Sequence, residues 1–406
     1  MIIQRKPPRY PRRGPSCLLV IFVIFGIAVS LYVIQNAEDV RSAIIPTPTD
    51  EPTRSATEFA VLAKLSRDDG NNDEAIDFYS QAIERDPTNP EFYIRIVDLL
   101  ALEYRSQEAV DFAEQATLLD PENDLVWMAA AAAYLAEGDR LNDRGDTNAA
   151  NLQYANAAQA ALKAISINPN NATALAYAAG GTVLQGDPEK YEQAELFADD
   201  AVRIEPNNPI AHYYMATVFT YQGRYTDAAE QYQLGLEADP TNADLYIGLG
   251  YNFYGTGSTS EAILSFEDAL AVDPSNAEAY DGLAYMFLQL GDAPKAQGYA
   301  LEATNIHPDV ARAQGRLGEA YFQQNNYPDA IAALEHAVRL YGRATDLNAR
   351  FFNMLASAYI RRDLNECSLA TPLFEQVLDA TTNELIVASA NEGLLECRRA
   401  TLGTEP

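Results

Sequence analysis

The chain is poor in the residues that do covalent or metal chemistry: three cysteines, three histidines and one tryptophan in 406 residues. His212, His307 and His336 never stand at i, i+4 from one another or beside a cysteine, so no zinc-ligand spacing exists and neither metal nor cofactor is expected. A GxxxxGK[ST] phosphate loop, a GxSxG elbow and a CxxC pair are all missing, and Gly180-Gly181 falls inside a helical frame. Carboxylates close in sequence are abundant, but in so acidic a chain they do not single out an acid–base pair. An enzyme is therefore not expected. Basic side chains are scarce as well, 28 against 58 acidic, for a net charge of −30. A surface of that sign repels phosphate backbones, so nucleic acid is not an expected partner.

Long apolar runs are also rare, and the one present is informative. Cys17–Ile34 is an uncharged stretch of 18 residues, just long enough to cross a hydrocarbon core. Arg5, Lys6, Arg9, Arg12 and Arg13 precede it, while Glu38 and Asp39 follow, an asymmetry that keeps the N-terminus cytoplasmic and sends the rest across. A cleaved signal peptide is the competing reading; the length of the run and the lack of a small-x-small site favour an uncleaved anchor. The expected order is a basic cytoplasmic tail (1–16), a transmembrane signal anchor (17–37) and a Pro/Thr-rich spacer (38–55) holding Pro46, Pro48 and Pro52. A single-pass membrane protein with its bulk outside the cytoplasm is the expected localisation.

What the remainder contains is a period. DPTN at Asp86–Asn89, DPEN at Asp120–Asn123, DPTN at Asp239–Asn242 and DPSN at Asp273–Asn276 repeat one punctuation mark, with looser copies at Asn168–Asn171, Glu205–Asn208 and His307–Val310. Pro87 to Pro121 is 34 residues, as are the steps between Pro206, Pro240, Pro274 and Pro308. A fixed period of this size marks stacked copies of one supersecondary unit. With each proline counted as position 32, positions 4, 7, 8 and 11 and positions 20, 24 and 27 form two helix faces, as in Tyr246, Leu249, Gly250, Phe253 and Ala262, Phe266, Ala269. Position 8 is small or nearly so throughout, and position 20 is alanine in eight successive repeats from Ala75 to Ala330. Small residues there let two helices approach closely. The proline ends each second helix, and the asparagine two residues later caps the next first helix. Aspartate before the proline reads as turn chemistry.

Position by position, this pattern resembles the tetratricopeptide repeat family over roughly residues 55–380. The resemblance implies an all-α, right-handed superhelical solenoid of antiparallel helix pairs, here about nine repeats over 56–382, following the single N-terminal transmembrane helix. The third repeat (124–171) is elongated, since Pro121 to Pro169 is 48 residues, and Gly145 falls at the tip of its hairpin. Arg144-Gly145-Asp146 at that tip is read as turn chemistry, not as an adhesion motif. The fourth repeat carries three extra residues near Asp187–Lys190, and the eighth has Gly342 where proline is expected. A last helix within 383–406 caps the exposed end of the stack. Stacking brings Cys367, at the ninth hairpin's turn, near Cys397, late in that cap, so a disulfide is expected on the oxidising side of a membrane, against two unrelated buried thiols.

The resemblance also implies a binding surface. In the family, positions 2, 5, 6, 9, 12 and 13 of each first helix line a concave groove. Carried over, they name Tyr177, Tyr213, Tyr214, Tyr221, Tyr251, Tyr254, Tyr285 and Phe322, aromatics beyond those the core needs. They either form a hydroxyl-tipped recognition surface or close the groove by packing on one another. Arg312 and Arg316 resemble half of a carboxylate clamp, but Ile247, Tyr251 and Gly282 stand where its other residues belong, leaving anion capture as the weaker expectation. The expected role is a docking scaffold for an extended peptide or helix of a protein partner, in assembly of an envelope or secretion complex. The alternative is a receptor for a glycan stacking on the groove tyrosines.

Overall fold

The structure, a computed structural model, describes residues 17–35 and 54–402. The expected basic tail (1–16) and nearly all of the spacer (38–55) lie outside those residues. The chain divides into two units, Met1–Ser55 and Ala56–Pro406. The first contains one described helix, Cys17–Gln35. Its described large side chains, Phe22, Phe25 and Ile34 among them, are exposed. Among the described residues no helix is long and apolar enough to cross a membrane. The apolar run read from the sequence includes Cys17–Val20 and Val33, whose side chains lie outside the described residues.

The second unit is all-helical among its described residues: nine antiparallel helix pairs and one terminal helix, Glu384–Leu402. Six of the nine pairs, the second to the seventh, begin where an asparagine accepts the free N–H groups that a helix start leaves. Asn89, Asn171 and Asn276 accept from Glu91 N (3.1 Å), Ala174 N (2.9 Å) and Ala279 N (2.9 Å). Asn123, Asn208 and Asn242 do the same. The preceding aspartate folds the turn on itself, Asp86, Asp239 and Asp273 each accepting from the backbone N–H two residues on. Where proline is absent in the eighth repeat, Gly342 ends the helix with φ +76°, a left-handed conformation glycine adopts without strain.

Packing follows the 34-residue frame. Ala75, Ala109, Ala150, Ala194, Ala228, Ala262, Ala296 and Ala330 are all fully buried, so the paired helices touch along an alanine seam. Position 4 has a second task. Tyr93 Oη, Trp127 Nε1, His212 Nε2 and Gln314 Nε2 each donate to the carbonyl of the proline six residues earlier, at 3.2, 2.9, 2.8 and 2.9 Å. This bond satisfies a carbonyl left without a helical partner. It also explains why His212, buried at that position, belongs to the core.

The departures from the frame are local. The third pair, Asp124–Asp143 and Thr147–Ile167, has helices of 20 and 21 residues, against 13 and 14 for the regular pair Ala243–Gly255 and Thr259–Val272. The extra residues of the fourth repeat form a 3-10 turn, Pro188–Lys190. At the C-terminal end Cys367 and Cys397 are joined by a disulfide, Cα–Cα 5.4 Å, tying the ninth pair to the terminal helix.

Candidate functional site: the inner wall

The first helices of successive repeats turn one face toward a common interior, and the repeat frame decides what stands there. Tyr177, Tyr213, Tyr214, Tyr251, Tyr285 and Phe322 are half-buried, while Tyr221 and Tyr254 are exposed. They pack on one another and on core rings. Tyr214 meets Tyr177 edge-on at 5.8 Å and Tyr213 at 5.0 Å, and Tyr213 continues to Tyr232 at 6.0 Å. Tyr251 stands against Phe266 at 5.0 Å, Tyr221 against Tyr191 at 6.1 Å, and Phe322 against Tyr327 at 5.8 Å. Tyr254 and Tyr285 are linked by a 2.7 Å hydroxyl–hydroxyl bond. Mutual packing between repeats is thus a fact of this wall. It holds the rings in fixed orientations and leaves them partly open to water. Among the described residues the Tyr251 hydroxyl has no hydrogen-bond partner, and burial pushes the Tyr251 phenol up to about 12.

The arginines differ from the sequence expectation. Arg312 and Arg316 are not a free anion trap, because the chain's own carboxylates already hold them. Arg312 pairs with Asp143 (2.7 Å) and Asp281 (2.8 Å), with Glu278 at 3.8 Å. Arg316 is buried, pairs with the same Asp281, and lies over the Tyr285 ring at 4.5 Å. Arg350, also on this side, pairs with Glu319 at 3.7 Å. A charge drawn out of water needs such partners, and Asp143 lies 169 residues from Arg312, beyond the reach of any local pattern.

Sequence reasoning missed the wall's dominant charge, which is negative. Asp98, Asp139, Asp143, Asp244, Glu278 and Asp281 converge on the interior with the tyrosines. Asp244 and Glu278 both act on Tyr104, and Asp98 and Asp244 both act on Tyr177. Asp98, Asp139 and Asp244 remain open to water while hemmed in by protein, as befits groups lining an inner surface. Burial pushes Asp139 and Glu278 up to about 7 and Asp98 up to about 6, and raises Asp143 and Asp244. Tyr154 Oη donates to Asp139 at 2.8 Å and partly offsets its shift. A signal for four of these residues was present: Asp244 and Glu278 stand at position 2, Asp281 at position 5 and Asp98 at position 9, groove positions of the frame. Among the described residues no group of three or more His, Cys, Asp or Glu is arranged to hold a metal ion. The wall can therefore offer aromatic faces, hydroxyl tips and carboxylates, a set suited to cationic, amide-bearing chains.

Models described as tetratricopeptide repeat match residues 66–132, 247–305 and 298–349, and one described as TPR repeat matches 216–257. The small glutamine-rich tetratricopeptide repeat-containing protein 2 of Mycosarcoma maydis is 31% identical over 115 residues, 28% of this chain and 32% of that protein. The chain thus spans about a third of the curated relative it matches. Among solved structures, the human IFIT1 dimer with m7Gppp-AAAA aligns over 87% of this chain and 92% of its own, with TM-score 0.59 and 16% identity. That likeness concerns the fold alone.

Proposed function

Because the chain belongs to the tetratricopeptide repeat family, we propose that it is a non-enzymatic scaffold holding an extended segment of a partner protein against its inner wall. The observation that carries this reading is the wall itself, where oriented tyrosines stand with six carboxylates, and where Arg312 and Arg316 are already paired with Asp143 and Asp281. Such a surface favours a segment bearing Lys or Arg, whose cations meet carboxylates and aromatic faces while its amides meet phenol hydroxyls. The capped RNA named with the IFIT1 structure is not carried over, since phosphates would face this wall's carboxylates while Arg312 and Arg316 are already paired. In this reading helix Cys17–Gln35 anchors the protein in a membrane, the basic flank keeps the N-terminus cytoplasmic, and the repeats work outside the cytoplasm in assembly of an envelope or secretion complex.

The test is binding of the full-length chain to arrayed basic, neutral and acidic peptides beside an array of glycans. Basic peptides should be retained, and a Tyr214→Ala/Tyr251→Ala variant should lose them. Retention of sugars alone would reject the scaffold reading.

A further inference from the structure

Two departures from the repeat pattern meet at one seam. The first is the long third hairpin. Its seven additional residues per helix extend the tip by roughly 10 Å at 1.5 Å per residue, and the tip lands on the eighth and ninth repeats. Arg144 Nη2 donates to Leu340 O at 3.0 Å, across 196 residues of sequence. Asp143, one residue earlier, receives Arg312 at 2.7 Å. Gly145, buried with φ +75°, lies so close to Thr345 that a Cβ would come within 2.5 Å of its hydroxyl. The second departure is Tyr104. It takes a left-handed φ of +56° at the turn where Gly70, Gly186, Gly223, Gly257 and Gly291 stand in other repeats. A bulky residue pays strain there, and its ring lies 4.3 Å from that of His307 on the seventh repeat. Repeats two and three thus touch repeats seven to nine through residues the repeat frame does not call for.

We propose that the third hairpin and the Tyr104 turn form a latch, which closes the superhelix across its concave side and governs entry to the inner wall. The join is not seamless. A cavity of about 250 Å³ remains beneath the tip, lined by Leu141, Arg144 and Asp146 on one side and Tyr341, Arg343 and Thr345 on the other. An interface held by a few polar contacts around such a gap can part without disturbing the alanine seams, which lie inside the repeats. When it parts, the rings of Tyr214 and Tyr251 become open to large molecules.

Two partner-free measurements on the full-length chain test this. Spin labels at Asn142→Cys and Leu347→Cys, in a Cys17→Ser background, report the distance across the seam. The chain with a native latch should show one short, narrow distance; a long, broad distribution overturns the proposal. In a Tyr104→Gly/Asp143→Ala/Arg144→Ala variant that short distance should be lost, with helical circular dichroism unchanged, and phenolate-selective nitration of Tyr214 and Tyr251 should rise several-fold. Persistence of the short distance, or its loss with nitration unchanged, contradicts the latch. If the variant fails to fold, the distance in the parent chain still decides. None of these readouts depends on the partner, so the scaffold reading can fail while the latch stands.

Discussion

Repeats five to seven, Pro209–Ile306, and the third repeat use the same alanine seam for different ends. In the regular repeats the core rings pack within their own repeat and against the next one. Phe266, fully buried, is flanked by Gly250 from its own repeat and Gly282 from the next, where an added Cβ would come within 2.9 and 2.5 Å of its ring. The third repeat keeps Ala150 buried in that seam but spends its extra turns on partners 169 and 196 residues away. Periodic residues build the stack, and aperiodic ones decide how the stack closes. In a solenoid whose stability is a sum of nearest-neighbour terms, the two classes should respond differently to mutation.

The largest expected effect lies in the regular region. Phe266→Ala leaves a ring-sized void between two glycine-lined surfaces and should cost about 3–5 kcal/mol in urea unfolding. A loss below about 1 kcal/mol would mean that repeats five to seven are not packed as described. Next is the disulfide. Cys397→Ser opens a loop of 30 residues and should cost roughly 3–4 kcal/mol in the chain-entropy estimate. The loss should concentrate in the terminal helix, seen as faster amide exchange in Glu384–Leu402 than in Thr259–Val272. Equal acceleration in both helices would contradict a cap that unfolds by itself. Asn242→Ala removes a cap that accepts from two backbone amides and should cost about 1 kcal/mol; an unchanged urea midpoint would deny the cap a role.

The smallest effect is set by pH and sharpens the comparison from the inner wall. A carboxyl raised by burial binds its proton more tightly in the folded chain than in the unfolded one. Stability is therefore lost as pH rises from about 4, where unfolded carboxyls titrate, through the folded values of about 6 to 7 for Asp98, Asp139 and Glu278. The melting temperature should fall as pH rises from about 4 to about 7, the ends of that window. Asp139→Asn, which still accepts from Tyr154, should shrink that fall. A melting temperature that rises across the window contradicts the desolvated wall.

Legibility in the sequence followed the same division. Pro87, Pro240 and Ala262 announce the frame because a solenoid repeats its contacts, and repeated contacts leave repeated residues. The length of the third hairpin and its tip at Gly145 follow from the 48-residue interval. The docking of that tip does not, since a contact made once leaves no period. Arg312 looked like a free base because its acidic partner Asp143 is remote in sequence, and the aspartates of the wall were lost among 58 acidic residues. Tyr104 carried a readable sign, an aromatic at a turn position that is glycine in five other repeats.

The central claim is that departures from the repeat, rather than the repeat, close the superhelix. Amide hydrogen exchange compares it most directly, with the parent chain set against one that carries Tyr104→Gly and lacks the two added turns of the third hairpin. Protection should drop at Leu340–Ala349 and around His307 while Tyr225–Ala238 stays unchanged. Equal protection at the seam in both chains would contradict the account.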